Sequence, residues 1–315
     1  MIPLLGWLLL ALALAAIGYT VHAAIAVRGF AQGPLPAPAR PEPITLLKPL
    51  HGVEPRLAEN LANFLDQDWP APVQMVAGTN RPDDAALAVS RTLAGDVSVR
   101  TDAPPLGANA KIANLANLMP AARHDLLILS DSDMAVSPDY CARIAAALAQ
   151  PGVGAVTCLY HGRGDVVGRG RGWSRFAAAA ISWQFAPSVV MSYALGIEQA
   201  CMGSTIALRR ETLARIGGFE RFADTLADDH AIGMAVRALG LRVVPAPRLI
   251  LAHGCAETSL GAVWRHERRW SATVRGANLP AHIGSLLTHP LALALFATPL
   301  MPRAGLAVVA AALMA

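Results

Sequence analysis

Two aspartates separated by one serine, Asp131-Ser132-Asp133, follow directly on the apolar run Leu126-Leu127-Ile128-Leu129. The run is short, unbroken and aliphatic, which predicts a buried strand. Side chains alternate along a strand, so both carboxylates are expected on the same side at its end. Two carboxylates held together repel each other unless a cation neutralises them. Mg2+ or Mn2+ suits such a pair, because hard divalent cations take one or two carboxylates together with substrate phosphates. The plainer alternative is a strand ending in an Asp-rich turn, with Ser137-Pro138-Asp139 capping the next helix. A second pair, Asp228-Asp229, precedes a helical pattern over residues 230–239. Capping and the helix dipole explain one aspartate there, but not two adjacent ones. The run His266-Glu267-Arg268-Arg269-Trp270 is the third candidate. A dense charge run on a helix is ordinarily a solvated face, yet Arg269 beside Trp270 also offers a phosphate fork and an aromatic plate.

Something must bring these segments together. Strand patterns at 44–50, 73–77, 97–100 and 126–129 alternate with helical patterns at 54–65, 85–93 and 111–119. Such alternation predicts an α/β fold with a mostly parallel sheet and helices on both faces. Ligands bind beyond the carboxyl ends of the strands in such sheets. That edge would gather Pro49-Leu50-His51, the loop Asn80 to Asp84, and Asp131 to Asp133. Further on, a helix is expected over 140–149 and strands over 153–160, 200–208 and 241–244. Residues 161–172 read as a mobile loop whose Arg163, Arg169 and Arg171 could meet lipid headgroups or diphosphate, or simply water. The apolar stretch 173–195, broken by Pro187, reads equally as a core helix or as an amphipathic element at a membrane interface.

Composition bounds the class. The chain has 315 residues, 54% of them hydrophobic and 15% charged, where about a quarter is usual. Mean hydropathy is +0.41. A water-soluble domain carrying membrane segments accounts for those figures. The net charge of +4 fits an anionic membrane surface and gives little reason to expect nucleic acid. Cys141, Cys158, Cys201 and Cys255 are scattered with no Cys-x-x-Cys, which disfavours a zinc site or a disulfide framework and leaves reduced cytosolic thiols as the default. Residues 1–28 are long and apolar enough to span a bilayer and are expected to be a retained anchor rather than a signal peptide. Arg28 and Arg40 follow that segment, which places the rest of the chain in the cytoplasm. Residues 29–43 form a Pro-rich linker, a semi-rigid spacer. The globular domain is expected over 44–278. From 279 to 315 the chain is apolar again, as one or two further membrane helices or a re-entrant hairpin.

The ordered motifs resemble the ceramide glucosyltransferases, glycosyltransferase family 21, within the larger inverting family 2. The match is carried by Leu47-Lys48-Pro49-Leu50-His51-Gly52-Val53-Glu54-Pro55, by Gly107-Ala108-Asn109-Ala110-Lys111-Ile112-Ala113-Asn114-Leu115, by Asp131-Ser132-Asp133, by Asp228-Asp229-His230 and by Arg269-Trp270. It covers residues 44 to about 275. Val156 to Tyr160 and Leu226 to Asp229 look closest to the bacterial hopanoid branch, in which N-acetylglucosamine passes from a UDP carrier to bacteriohopanetetrol. The resemblance implies a GT-A (Rossmann-like) catalytic domain in a bacterial inner membrane, facing the cytoplasm. It implies a UDP-sugar donor, a divalent cation on Asp133 and Asp131, and a membrane-lipid acceptor. Donor contacts would come from Asp83, Asp84, Lys111, Asn114, Asp131, His266, Arg269 and Trp270. Asp229, or failing it Asp228, would be the base, and a single base suits inversion by direct displacement. Trp270 could wall the acceptor site, or only anchor its helix at the interface. Two positions depart from the family pattern. Arg81 stands where a uridine-side aspartate is common, leaving that work to Asp83 or Asp84, and His266 replaces the usual Gln or Arg.

A processive polysaccharide synthase of the same large family would need more membrane helices than this chain shows. A non-catalytic membrane scaffold would have no need of Asp131, Asp133 and Asp229. The choice of sugar, the choice between hopanoid and ceramide, and the oligomeric state are not written in any motif.

Overall fold

The computed structural model describes residues 2–101, 104–197 and 200–315. Helix α1 (Ile2–Gln32) runs four residues past the expected end of the anchor. The proline-rich segment after it carries no regular structure up to residue 43, because proline lacks the N–H that helix and ladder both need. The Arg248 guanidinium donates to the carbonyls of Gln32 and Gly33 and pins the end of α1 to the domain.

The domain then follows the expected alternation. It runs β1 (Ile44–Pro49), α2 (Leu57–Leu65), β2 (Val73–Gly78), α3 (Ala86–Arg91), β3 (Asp96–Arg100), α4 (Ala110–Leu118) and β4 (Leu126–Leu129). Next come β5 (Met134–Ala135), α5 (Tyr140–Leu148), β6 (Val153–Gly164), α6 (Arg171–Ala180), α7 (Ala186–Ala194), β7 (Ile206–Arg209) and α8 (Arg210–Arg215). The chain continues through α9 (Asp228–Ala238), β8 (Arg242–Cys255), α10 (Leu260–Ala277), α11 (Leu279–Gly284), α12 (Pro290–Ala297) and α13 (Pro302–Met314).

One sheet holds all eight strands in the order β3-β2-β1-β4-β7-β6-β8-β5. Period-two alternation fills its two faces. Ile44, Leu46, Leu126 and Ile128 pack on one side with Phe64 and Tyr140, whose rings meet edge-on at 5.2 Å. Leu47, Leu127 and Leu129 pack on the other with Ile112, Phe219 and Ile232. Burying each such side chain contributes roughly 1.5–3 kcal/mol.

The expectation of a mostly parallel sheet is corrected. β1, β2, β3 and β4 are parallel, and so are β6 and β8, but β7 is antiparallel to both its neighbours and β5 is antiparallel to β8. The cause lies between β6 and β7. β6 runs past the end of β4 to Gly164, and α6 and α7 hand the chain back at that same edge. β7 must therefore enter from the ligand-binding side and run backwards. The strand also takes the first residues of the expected 161–172 loop, and β8 is far longer than the expected 241–244.

In the stretch 173–195, α6 and α7 are joined by a π-turn over Ile181–Phe185. Ser174, Ala177, Ala178 and Ile181 are buried, while Trp173, Phe176 and Trp183 are exposed. Among the described residues, α1 is the one helix long and apolar enough to cross a membrane unaided. α11 and α12 reach that length only as a pair bent by 71°.

Candidate active site

Three strand registers build the site at the carboxyl edge. Leu47 pairs with Leu129, so Lys48 and Asp131 emerge side by side. Leu129 pairs with Ile206, which sets the turn before β7, with Gly203 in it, next to Asp131. Met134 pairs with His253, which sets His253 beside Asp133.

Asp131 and Asp133 do not share one strand face as the alternation suggested. β4 ends at Leu129 and a turn carries Ser132 and Asp133, so each carboxylate meets its own partner. Asp131 Oδ1 lies 2.6 Å from Lys111 Nζ. Asp133 Oδ2 faces His253 Nδ1 at 3.4 Å, and neither Asp133 Oδ1 nor His253 Nδ1 finds a hydrogen bond, although both are buried. Burial and the charge of Asp133 outweigh the pull of Lys111 and raise Asp131 above the usual carboxylate range. Asp133 moves the other way: burial would raise it, but His253, Lys48 and Lys111 hold it below that range.

Lys111 and the second aspartate pair are brought together by Asn109. Its side-chain oxygen accepts from the backbone N–H groups of Lys111 and Ile112 and caps α4. Its amide donates to Thr225 O at 2.7 Å and to Asp228 Oδ1 at 3.2 Å, across to the start of α9. Asp228 Oδ2 then lies 4.0 Å from Lys111 Nζ. Burial opposes charge on Lys111, yet Asp131 and Asp228 together raise its pKa and keep it an ammonium.

The helix begins at Asp228, and the residue before it, Ala227, gives no side-chain cap. Neither aspartate is therefore an N-cap. Asp229 Oδ2 accepts from Gly203 N at 2.9 Å and Oδ1 from His230 N at 2.8 Å. Burial, and then the charge of Asp228, raise its pKa. A carboxylate so placed is a stronger base than one in water.

Gly203 lies between these groups. A Cβ there would stand 3.1 Å from both Asp131 Oδ2 and Lys111 Nζ and 3.6 Å from Asp229 Oδ2. A glycine lets the backbone approach charged groups from both aspartate motifs at once.

Further groups at this edge were not singled out as site residues from the sequence. Lys48 is fully buried, 3.5 Å above the Phe64 ring, and donates to Asp131 O at 2.6 Å and more weakly to Ser130 Oγ at 3.4 Å. Burial lowers its pKa to about 7. Glu54 accepts from Ser132 Oγ at 2.7 Å, and burial next to Asp133 raises it to about 7. Lys48 and Glu54 both lie in the Leu47-to-Pro55 motif, which is the signal that could have found them. His253 had no signal, because only the 14-residue length of β8 carries it to Asp133.

The other expected contacts spread out. Asp83 pairs with Arg81 at 2.9 Å, both largely exposed. Asp84 accepts from Gly52 N and Ala86 N, tying the loop after β1 to the start of α3. Asn114 is 3% exposed and donates to Gly78 O at 2.7 Å, so it holds α4 to β2 rather than joining the carboxylates. His266 Nδ1 lies 2.5 Å from Glu257 Oε1 and its ring meets Trp270 edge-on at 5.1 Å. Trp270 packs on Phe185, Phe185 on Tyr160, and Tyr160 on His253, with centroids 4.9–5.5 Å apart. An aromatic wall thus runs from α10 to the partner of Asp133. Arg269 is exposed on α10 and makes none of the ion pairs of the carboxylate cluster.

Known proteins resemble this chain in sequence and in fold. Ceramide glucosyltransferase 1 of Caenorhabditis elegans is 24% identical over 226 residues, covering 69% of this chain and 47% of that protein. The chain thus spans about half the length of that curated relative. A solved structure, the mannosyltransferase PcManGT from Pyrobaculum calidifontis in complex with GDP-Man and Mn2+, superposes over all of this chain and 88% of its own. The TM-score is 0.61 at 20% identity. That likeness supports a GT-A-like α/β fold with a mixed, curled sheet. The model of glycosyl transferase family 21 matches residues 8–315, and the chain belongs to that family.

Proposed function

We propose that this protein is an inverting glycosyltransferase that moves a hexose, N-acetylglucosamine or glucose, from a UDP-sugar to a hydroxyl of a membrane lipid. The observation that carries the reading is the cluster Lys111–Asp131–Gly203–Asp229. It puts an ammonium, a carboxylate that can turn to a cation, and a buried basic carboxylate around one glycine. Asp229 takes the acceptor proton as the oxygen attacks the anomeric carbon, and the bond from that carbon to the UDP oxygen breaks. Gly203 N–H and His230 N–H fix both Asp229 oxygens, so the base is oriented before substrate arrives. Asp228 supports Lys111, whose charge sits where the diphosphate leaves.

The residues present fit a divalent cation. Two orphaned ligand atoms, Asp133 Oδ1 and His253 Nδ1, sit within one buried pocket of charge. Among the described residues no three His, Cys, Asp or Glu side chains form a ready metal cluster. Asp131, which now pairs with Lys111, would complete the protein's share of the ligands. When bound, Mg2+ or Mn2+ supplies charge stabilisation of the leaving diphosphate. The Mn2+ and nucleotide sugar named for the mannosyltransferase support the same assignment. Trp270, Phe185 and Tyr160 wall the acceptor side, and Asp83, Asp84 and Arg269 remain candidates for the nucleotide end.

Bacteriohopanetetrol is the favoured acceptor, in a bacterial cytoplasmic membrane with the domain on the cytoplasmic face. Ceramide is the second reading, favoured by the name of the C. elegans relative. The test incubates the purified protein with labelled UDP-glucose or UDP-N-acetylglucosamine and offers ceramide and bacteriohopanetetrol separately. Labelled bacteriohopanetetrol is expected, and Asp229→Asn should lower its formation by at least about 100-fold. Product with ceramide alone overturns the hopanoid preference. Asp229→Asn turning over at the wild-type rate removes Asp229 as the base.

A further inference from the structure

Residues Met202 to Thr205 turn the chain into β7, with Met202 bridged to Thr205. Gly203 is the half-buried tip, while Met202, Ser204 and Thr205 are buried. Hydroxyl groups tie down each buried residue. Met202 N donates to Thr157 Oγ1 at 2.9 Å, and Thr157 Oγ1 donates to Thr205 O at 2.8 Å. Ser204 Oγ donates to Cys158 O at 2.7 Å. Thr205 Oγ1 donates to Ser204 O at 2.7 Å, so the Tyr140 phenol, 2.8 Å away, is the donor to Thr205 Oγ1. Burial raises the Tyr140 pKa well above its ordinary value and keeps that proton in place. Ser130 Oγ hydrogen-bonds the same phenol. A chain of hydroxyls thus runs from the residue before Asp131 to the turn whose N–H meets Asp229.

Thr157 stands where the ladder between β6 and β7 ends, opposite Ile206. Past that pair the chain leaves the sheet, and a side chain takes over the work of a strand neighbour. Phenylalanine and valine would fill the places of Tyr140 and Thr205 with no polar atom to satisfy, so packing alone does not ask for that hydroxyl pair. What the hydroxyls add is orientation, because they fix the direction in which Gly203 N–H points. α9 meets the same turn from the other side. A Cβ on Gly233, one helical turn after Asp229, would stand 2.5 Å from Cys201 N. Glycine there lets α9 come close enough for Asp229 to take the Gly203 hydrogen bond.

We propose that Thr157 and Tyr140 are positioning residues for sugar transfer. Through the turn Met202–Thr205 they hold Gly203 N–H on the Asp229 carboxylate and set the place of that carboxylate relative to Asp131. Neither residue acts on substrate directly. The inference rests on Asp229 being the base.

Kinetics of the purified full chain in detergent test it. The assay is transfer from labelled UDP-N-acetylglucosamine or UDP-glucose to bacteriohopanetetrol or ceramide, with the pair that the wild type turns over. Thr157→Val keeps the shape of the side chain and removes its hydroxyl. The expected result is a kcat about 10-fold lower with a donor KM changed by less than about 2-fold. Loss of a hydrogen bond to its charged form also raises the Asp229 pKa, so the acid limb of kcat moves to higher pH. Asp228, Lys111 and Asp131, whose charges act on Asp229, are the same in the variant. Thr157→Ser returns the hydroxyl and is expected to recover both kcat and the acid limb. Tyr140→Phe keeps the ring against Phe64 and is expected to show the same signature more weakly. A wild-type kcat in Thr157→Val overturns the proposal, as does a lower kcat with an unmoved acid limb, or a Thr157→Ser protein no better than Thr157→Val. Should Thr157→Val not fold, Tyr140→Phe decides, and a wild-type kcat and acid limb there overturn the proposal. These outcomes leave the base itself in place as long as Asp229→Asn is inactive. An Asp229→Asn protein with wild-type activity, or a wild type that uses none of the four pairs, overturns the functional reading and this inference with it.

Discussion

Replacing Gly203 by alanine adds one methyl group where three charged side chains converge. The new Cβ would stand 3.1 Å from Asp131 Oδ2 and from Lys111 Nζ. Ordinary contact needs about 3.5 Å, so each must yield by roughly 0.4 Å. Both atoms end flexible side chains, so relaxation costs about 1 kcal/mol, the low end for overpacking. In a domain of this size that lowers Tm by roughly 2–4 °C. Catalysis tolerates less. A 1 Å misplacement costs about 100-fold in rate, so a 0.4 Å shift of both the ammonium and the carboxylate predicts a kcat loss on the order of 10-fold. The Gly203 N–H is retained, so Asp229 keeps its hydrogen bond and the loss reports on the Lys111–Asp131 pair. The assay is sugar transfer to the lipid acceptor, read beside thermal unfolding in the same detergent. A wild-type kcat in Gly203→Ala refutes the role given to this cluster. A Tm drop beyond about 10 °C refutes the claim that the side chains can yield.

His253→Ala removes an orphaned nitrogen facing Asp133 and should raise the Mn2+ concentration for half-maximal activity by at least about 10-fold; an unchanged Mn2+ dependence excludes His253 from the cation site. Lys48 carries a pH signature. Its folded pKa is about 7 against an ordinary 10.5, so between those values the unfolded chain binds more protons than the native one. Stability must rise with pH across that window, by up to about 1.4 kcal/mol per unit. Lys48→Met should flatten the rise between pH 7.5 and 9.5 in urea titrations, and a slope equal to wild type would show that the ammonium is not buried.

Much of the fold was legible because local pattern carries it. The aliphatic strand 126–129 and the helix near 140–149 need only periodicity, and Asp131, Asp133 and Asp229 stand out because clustered carboxylates ask for compensation. The antiparallel β7 was not legible. Nothing in Ala200 to Leu208 states from which edge the strand enters, and the path of the chain between β6 and β7 decides that. Asn114 entered as a donor contact through the family motif, and only the tertiary structure shows its amide donating to Gly78 O.

By itself the sequence determined the α/β alternation, the long apolar amino-terminal helix and the acidic groups available for chemistry, since composition and period act over a few residues. The tertiary structure alone decided the pairings. Lys111 reaches Asp228 because Asn109 bridges α4 to the start of α9. His253 belongs to Asp133 because β8 pairs with β5. Gly203 belongs to Asp229 because β7 runs backwards. Each of these is a contact between residues 20 or more positions apart, fixed by strand register and by a cap, and register is a property of the assembled sheet.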